Sequence, residues 1–387
     1  MLNLSGKLDN MFNYTRYICV QITPWLFKGK VILIYGARQV GKTTISKKII
    51  ADNGNGIYLN CEQRIVKEIL ESGNLENIIS IFQGNKLVIL DEAQKIVSIG
   101  ETLKIIHDTY PDIQLIATGS SSFDLSAHVK EALTGRNIKF ILFPLSISEL
   151  AQNYSIIQLK EKTEQLLRFG TYPDIIDRPE NEKITLLEEL ASDYLFKDVL
   201  SFERLKYPDL LIKLLKAIAL QLGNEVSERE LSNLLHVNIA TIQRYLNLLE
   251  KSFVIFRLSA FSRNLRNEIA TSQKYYFFDL GIRNSLLHNF APLDSRTDQG
   301  GLWENFCILE RMKINQERQK KTNYYFWRTY DQKEIDLIEE YDGKLAAFEF
   351  KWSVRKKTTI PKIFIETYPN TSFEVISPER ILNWSKI

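Results

Sequence analysis

The residues best equipped for chemistry lie near the N-terminus, in Gly36-Ala37-Arg38-Gln39-Val40-Gly41-Lys42-Thr43-Thr44. Two glycines at this spacing let a loop turn its backbone N–H groups toward phosphate. Lys42 would reach the β- and γ-phosphates of a nucleoside triphosphate, and the Thr43 hydroxyl would bind Mg²⁺. The whole stretch, Gly36, Ala37, Arg38, Gln39, Val40, Gly41, Lys42, Thr43 and Thr44, is the expected ATP-binding loop. Further on, Leu87-Val88-Ile89-Leu90 runs into Asp91-Glu92. Asp91 would hold the Mg²⁺ and Glu92 would be the general base for the attacking water. Ile116-Ala117-Thr118-Gly119-Ser120 ends another apolar run in hydroxyls, so Thr118 or Ser120 would lie beside the γ-phosphate. Thr134-Gly135-Arg136 adds a cation that could serve as an arginine finger or sensor, within its own chain or across an oligomer.

Such residues need rigid elements behind them. Residues 31–143 alternate apolar runs with helical patterns: strands at 31–35, 57–60, 86–90, 114–118 and 137–143, with helices between. Alternation of this kind means an α/β fold with a parallel sheet covered on both faces. Ligands then bind at the carboxyl ends of the strands. Residues 1–30 read as a lead-in with no evident catalytic residue, and residues 145–203 as a mostly helical connector, a lid over the nucleotide only by the family resemblance given below.

Residues 204–280 carry a second pattern. Ser227-Glu228-Arg229-Glu230 reads as a capping box opening a short amphipathic helix that carries Leu231, Leu234 and Leu235. After a turn at Val237-Asn238, a second helix would bury Ile242, Leu246 and Leu249. Flanking strands and a polar loop complete the expectation of a winged helix-turn-helix. Thr241, Gln243, Arg244 and Asn247, with Arg263 and Arg266 in the loop, would face duplex DNA.

Residues 281–387 read as a separate α/β domain. Asp336 on one strand, followed by Glu349-Phe350-Lys351 on its hairpin partner, is the pattern of PD-(D/E)xK nucleases. Period-two alternation puts Glu349 and Lys351 on one face. Asp336, Glu349 and, from the preceding helix, Glu304 would hold Mg²⁺, and Lys351 would orient water or stabilise charge. Catalysis at this restriction-endonuclease-like site would rest on Asp336, Glu349 and Lys351.

Bulk properties narrow the setting. The 387 residues are 44% hydrophobic and 25% charged, enough for sizeable cores, and a net charge of +3 neither demands nor excludes nucleic acid. Cys19, Cys61 and Cys307 are few and scattered, so a disulfide framework or cysteine-based zinc site is not expected. Free cysteines, no signal-peptide pattern and no apolar run of membrane-spanning length together predict a cytoplasmic protein.

The motifs at 36–44, Leu90-Asp91-Glu92-Ala93-Gln94-Lys95, Thr118-Gly119-Ser120-Ser121 and Thr134-Gly135-Arg136 resemble AAA+-like prokaryotic ATPases with a C-terminal region of unknown function. These are related to the archaeal ATPase and STAND branch of P-loop NTPases. Phe143-Pro144-Leu145-Ser146 and Phe169-Gly170-Thr171-Tyr172-Pro173 continue the resemblance, with Thr171 where a second glycine is usual. Trp303-Glu304-Asn305-Phe306 and Glu349-Phe350-Lys351-Trp352 extend it to the C-terminal region. The resemblance implies an ATP- and Mg²⁺-dependent engine acting on duplex DNA, or alternatively a signalling ATPase that binds protein or self-associates.

Overall fold

The computed structural model describes residues 14–120, 131–193, 208–262, 273–329, 332–353 and 358–380. Ser121, Arg263 and Arg266 lie outside them. The chain divides into two compact units, Met1–Leu145 with Lys251–Phe253, and Ser146–Glu250 with Val254–Ile387.

In the first unit, α1 (Tyr17–Ile22) precedes β1 (Val31–Tyr35), α2 (Lys42–Asn53) and β2 (Ile57–Asn60). Then come α3 (Arg64–Glu71), α4 (Leu75–Ser80), β3 (Leu87–Asp91), α5 (Ile99–Thr109), β4 (Gln114–Gly119) and β5 (Asn137–Ile141). The strands form one sheet in the order β2-β3-β4-β1-β5, and every neighbouring pair is parallel. β1, β3 and β4 are buried along their whole length, as apolar strands covered on both faces must be. Leu33, Leu90, Ala117, Leu103 and Ile106 belong to the core on one side. The crossover order sets β4 between β1 and β3. All three then deliver their C-terminal residues to the same edge.

The second unit opens with α6 (Ile147–Leu150), α7 (Ile156–Phe169) and α8 (Glu180–Asp193). The segment expected as a lid over the nucleotide thus belongs to the second unit, where α7 and α8 pack on a later helix, α12 (Leu280–Leu286). Between them come α9 (Pro208–Leu220), β6 (Glu225–Val226), α10 (Glu228–Leu235), α11 (Ile239–Lys251), β7 (Ile255–Ala260) and β8 (Gln273–Phe277). Ser227 caps α10 through the Glu230 N–H. Ile242, Leu246 and Leu249 are buried as expected, but Leu234 is 60% exposed. The rest is α13 (Gln299–Glu317), β9 (Asn323–Arg328), β10 (Glu334–Tyr341), β11 (Lys344–Phe350), α14 (Lys362–Thr367) and β12 (Ser372–Ile376). Asp342 and Gly343 both have positive φ, 48° and 72°, which makes the tight β10–β11 hairpin.

A boundary near residue 280 does not separate two sheets. All seven strands join in the order β12-β11-β10-β9-β7-β8-β6. β7 and β9 pair in parallel, Ser259 against Tyr325 and Ala260 against Phe326, and the Phe261 N–H donates to the Phe326 carbonyl at 2.6 Å. Behind the sheet, Arg311 on α13 makes a bidentate ion pair with Glu339 on β10, both contacts 2.6 Å, in a setting where Glu339 is 1% exposed.

Candidate functional site

The sheet edge at the C-terminal ends of β1, β3 and β4 gathers the first group of residues. Gly41 holds φ +100° as it hands the loop to α2, a conformation an L side chain resists. A Cβ on Gly36 would stand 2.4 Å from the Leu142 carbonyl oxygen, so only glycine fits there. No side chain caps α2, and a helix N-terminus favours an anion. Lys42 is 5% exposed, and its Nζ donates to the carbonyls of Gly36 and Ala37 at 3.0 and 2.8 Å. Its ammonium is therefore held inside the loop.

Asp91 is the hub. Its Oδ2 accepts from Thr43 Oγ1 at 2.6 Å and from the Tyr58 hydroxyl at 2.5 Å, and its Oδ1 accepts from Thr118 Oγ1. Burial and the Asp91 carboxylate push the Tyr58 hydroxyl well above its ordinary pKa. The paired oxygens of Thr43 and Asp91 fit the hard, oxygen-seeking Mg²⁺. Thr118 thus reaches the β3 carboxylate. Glu92 stands at φ 53°, and Gln94 Nε2 donates to its Oε2 and, at 3.2 Å, to Ser120 Oγ. Gln94 therefore orients both the expected base and Ser120.

Arg136 needs a correction. It precedes β5 at the opposite edge of the sheet, where its carbonyl accepts the Val31 N–H at 2.8 Å. The length of β1, roughly 13 Å at ~3.3 Å per residue, separates it from the loop. Its side chain pairs instead with Asp108 at 2.8 Å, and that guanidinium lowers the Asp108 pKa to about 2. Arg136 cannot act on a nucleotide held by its own chain.

Sequence reasoning missed Arg16. The residue is 8% exposed, and its guanidinium donates to the Val40 carbonyl at 2.7 Å and the Phe143 carbonyl at 2.5 Å. It joins the phosphate loop to the strand-exit segment that leads into Ser146. Partners 24 and 127 residues away leave no local signal.

A second cluster lies in the second unit. Phe350 N–H donates to Asp336 Oδ2 at 2.7 Å, and Glu349 pairs with Lys351 at 2.6 Å. Burial holds Asp336 and Glu349 above the usual carboxylate range; the Glu349 charge adds to this at Asp336, and Lys351 offsets part of it at Glu349. Glu304 is drawn elsewhere. Its Oε1 accepts from Lys274 Nζ at 3.0 Å and from the Tyr276 hydroxyl at 2.5 Å, both on β8, and Lys274 also pairs with Glu334. Burial, with the Asp336 charge, pushes Glu304 up to about 7. No group of three His, Cys, Asp or Glu side chains among the described residues could hold one metal ion. Glu304 therefore does not join Asp336 and Glu349 as a third metal ligand, because it pairs with Lys274 instead. Lys274 and Tyr276 share a strand face by period two, a signal the sequence did carry.

Comparison with known proteins divides the chain in three. Residues 28–151 match the model of the AAA domain, and residues 160–293 and 299–383 match two domains of unknown function, DUF8612 and DUF4143. Residues 28–151 are thus similar to AAA domains. An uncharacterised protein of Methanocaldococcus jannaschii is 29% identical over 74% of this chain and 67% of its own length. One from Mycobacterium tuberculosis is 25% identical over 93% of this chain and 77% of its own. Among solved structures, a Walker-type ATPase of Pyrococcus abyssi covers 70% of this chain and 95% of its own, at 15% identity and a TM-score of 0.47. AMPPCP-bound DnaA from Aquifex aeolicus covers 60% of this chain and 86% of its own, at 15% identity and a TM-score of 0.31. No helix among the described residues is long and apolar enough to cross a membrane.

Proposed function

We propose that the protein is a Mg²⁺-dependent ATPase whose nucleotide state governs how its second unit engages duplex DNA. The 2.6 Å contact between Thr43 on α2 and Asp91 on β3 carries the hydrolytic half. It joins the phosphate loop to the acidic strand end at the point where both must share one cation. Mg²⁺ held there by Thr43 and Asp91 would neutralise charge on the β- and γ-phosphates. Lys42 leaves its carbonyl cage for the phosphates. Glu92, oriented by Gln94, takes the proton of the attacking water. If Arg136 instead serves a neighbouring copy's nucleotide, Arg136→Ala would lower kcat and leave nucleotide affinity unchanged.

The order α9-β6-α10-α11-β7-β8 supports a winged helix in which α11 meets DNA. Its Gln243, Arg244 and Asn247 are exposed, although Gln243 also donates to Glu228 at 2.7 Å. The test is ATP turnover with and without duplex DNA, run beside Lys42→Ala, with DNA affinity followed across salt in Arg244→Ala. Turnover unchanged by Lys42→Ala would sink the hydrolytic assignment. Duplex affinity and salt slope untouched by Arg244→Ala would favour a signalling ATPase whose second unit binds protein.

A second reading concerns DNA cleavage. It is favoured by the convergence of Asp336, Glu349 and Lys351 at one point of β10 and β11. Mg²⁺-dependent cleavage lost in Asp336→Asn and in Lys351→Ala would support it. Cleavage that survives in both variants would point to a contaminant.

A further inference from the structure

Every acceptor position that matters on Asp91 is taken. Its Oδ1 accepts from Thr118, which is fully buried and itself accepts the Glu92 N–H at 3.3 Å. Its Oδ2 accepts two hydroxyls, Thr43 at 2.6 Å and Tyr58 at 2.5 Å. A carboxylate oxygen offers two lone-pair directions, so Oδ2 has none to spare. Asp91 is buried, so bulk water has little part in this arrangement.

The two donors at Oδ2 are not equivalent. Thr43 lies in the first turn of α2. Its oxygen can give a lone pair to a cation while its hydrogen stays on Asp91. Tyr58 comes from β2, an edge strand of the sheet. Ile57 and Leu59 pack into the core, so strand alternation turns Tyr58 to the opposite face. There the Lys47 Nζ of α2 stands 5.5 Å from its ring centroid. Tyr58 is half-buried, whereas Thr118 is enclosed and Thr43 is held by its helix. Of the three donors, Tyr58 is the one able to swing away.

We propose that the Tyr58 hydroxyl is a placeholder at the cation site. It occupies the Asp91 lone pair that Mg²⁺, or a water it carries, needs when MgATP enters. The proposal rests on the hydrolytic reading above and adds the residue that sets how strongly nucleotide binding depends on Mg²⁺. In the ligand-free chain the phenol satisfies a buried carboxylate. On loading it gives way, and the broken hydrogen bond offsets part of what the cation contributes to affinity.

The test is the affinity of the full chain for AMPPCP, measured by calorimetric titration in EDTA and in excess Mg²⁺. The ratio of the two dissociation constants isolates the cation's share. Tyr58→Phe keeps the ring and removes the competitor. It should leave the affinity in EDTA within twofold and increase the ratio about tenfold, the worth of one hydrogen bond to a charged acceptor. Tyr58→Leu also lacks the hydroxyl and should give the same increase, so the outcome does not hang on one variant. In an Asp91→Asn background, Tyr58→Phe should change the ratio less than twofold, because the effect passes through that carboxylate. A ratio that is unchanged or smaller in Tyr58→Phe would overturn the placeholder, the smaller value marking Tyr58 as a support for the cation. Wild-type binding that Mg²⁺ does not strengthen, or that Lys42→Ala leaves unaltered, would refute the hydrolytic reading and the placeholder with it.

Discussion

Arg16→Met should separate folding from phosphate binding in the first unit. Methionine keeps most of the aliphatic volume and removes both donors. Each bond from a charged donor to a buried carbonyl is worth about 1.5–3 kcal/mol, so the two together put at least about 3 kcal/mol at stake. One bond ends on Val40, inside the phosphate loop, and the other on Phe143. About half of the loss, ~1.5 kcal/mol, should therefore fall on the loop conformation, which corresponds to roughly tenfold weaker MgATP binding. The remainder should appear as a lower melting temperature of the ligand-free chain. Calorimetric titration with MgATP, beside thermal unfolding, measures the two parts. Arg16→Lys should recover less than half of either, since one ammonium cannot fork between two carbonyls. An affinity within twofold of wild type, alongside a lower melting temperature, would show that Arg16 only braces the fold.

Two further outcomes follow from the second unit. Arg311→Met strands the Glu339 carboxylate at 1% exposure, so it should destabilise by about 3–5 kcal/mol in denaturant titrations, whereas Arg311→Met with Glu339→Leu should recover most of that. Acid should stabilise this unit over a defined window. Burial raises Asp279 from 3.8 to about 6 and Glu304 from 4.5 to about 7. Between about pH 4 and pH 7 the folded state then binds more protons than the unfolded one, and stability falls as pH rises. Asp298, which burial raises but Arg296 and Arg283 hold near 2, loses its contribution only at lower pH, outside this window. The melting temperature should be higher at pH 5 than at pH 7.5, and a flat or opposite profile would refute the assignment.

Much of the fold was legible because its signals are local. The run Val31 to Tyr35, the glycines at 36 and 41 and the Tyr341-Asp342-Gly343-Lys344 turn each specify backbone within a few residues. The same holds for Ser227 ahead of α10. What escaped depends on distant partners. Arg16 looks like any helix-flanking arginine until Phe143 is folded against it. Glu304 resembled a metal ligand because Lys274 lies 30 residues earlier, on a strand assigned to another domain. Arg136 was placed by its motif, whereas strand direction decides which edge of the sheet it occupies. The β7–β9 pairing uses backbone groups of two residues on each strand, which no side-chain pattern announces.

That pairing bears on how such a chain can be cut and recombined. The two domains of unknown function meet between residues 293 and 299, yet strands from both sides of that boundary lie in one sheet. A fragment beginning at residue 299 would carry β9 with a bare edge, and Glu304 without Lys274 or Tyr276. It should aggregate when expressed alone, because an uncovered strand edge invites foreign pairing. The piece that keeps this sheet whole is therefore the entire second unit. A chimera that exchanged only the last hundred or so residues would have to bring its own counterpart of β7 and β8.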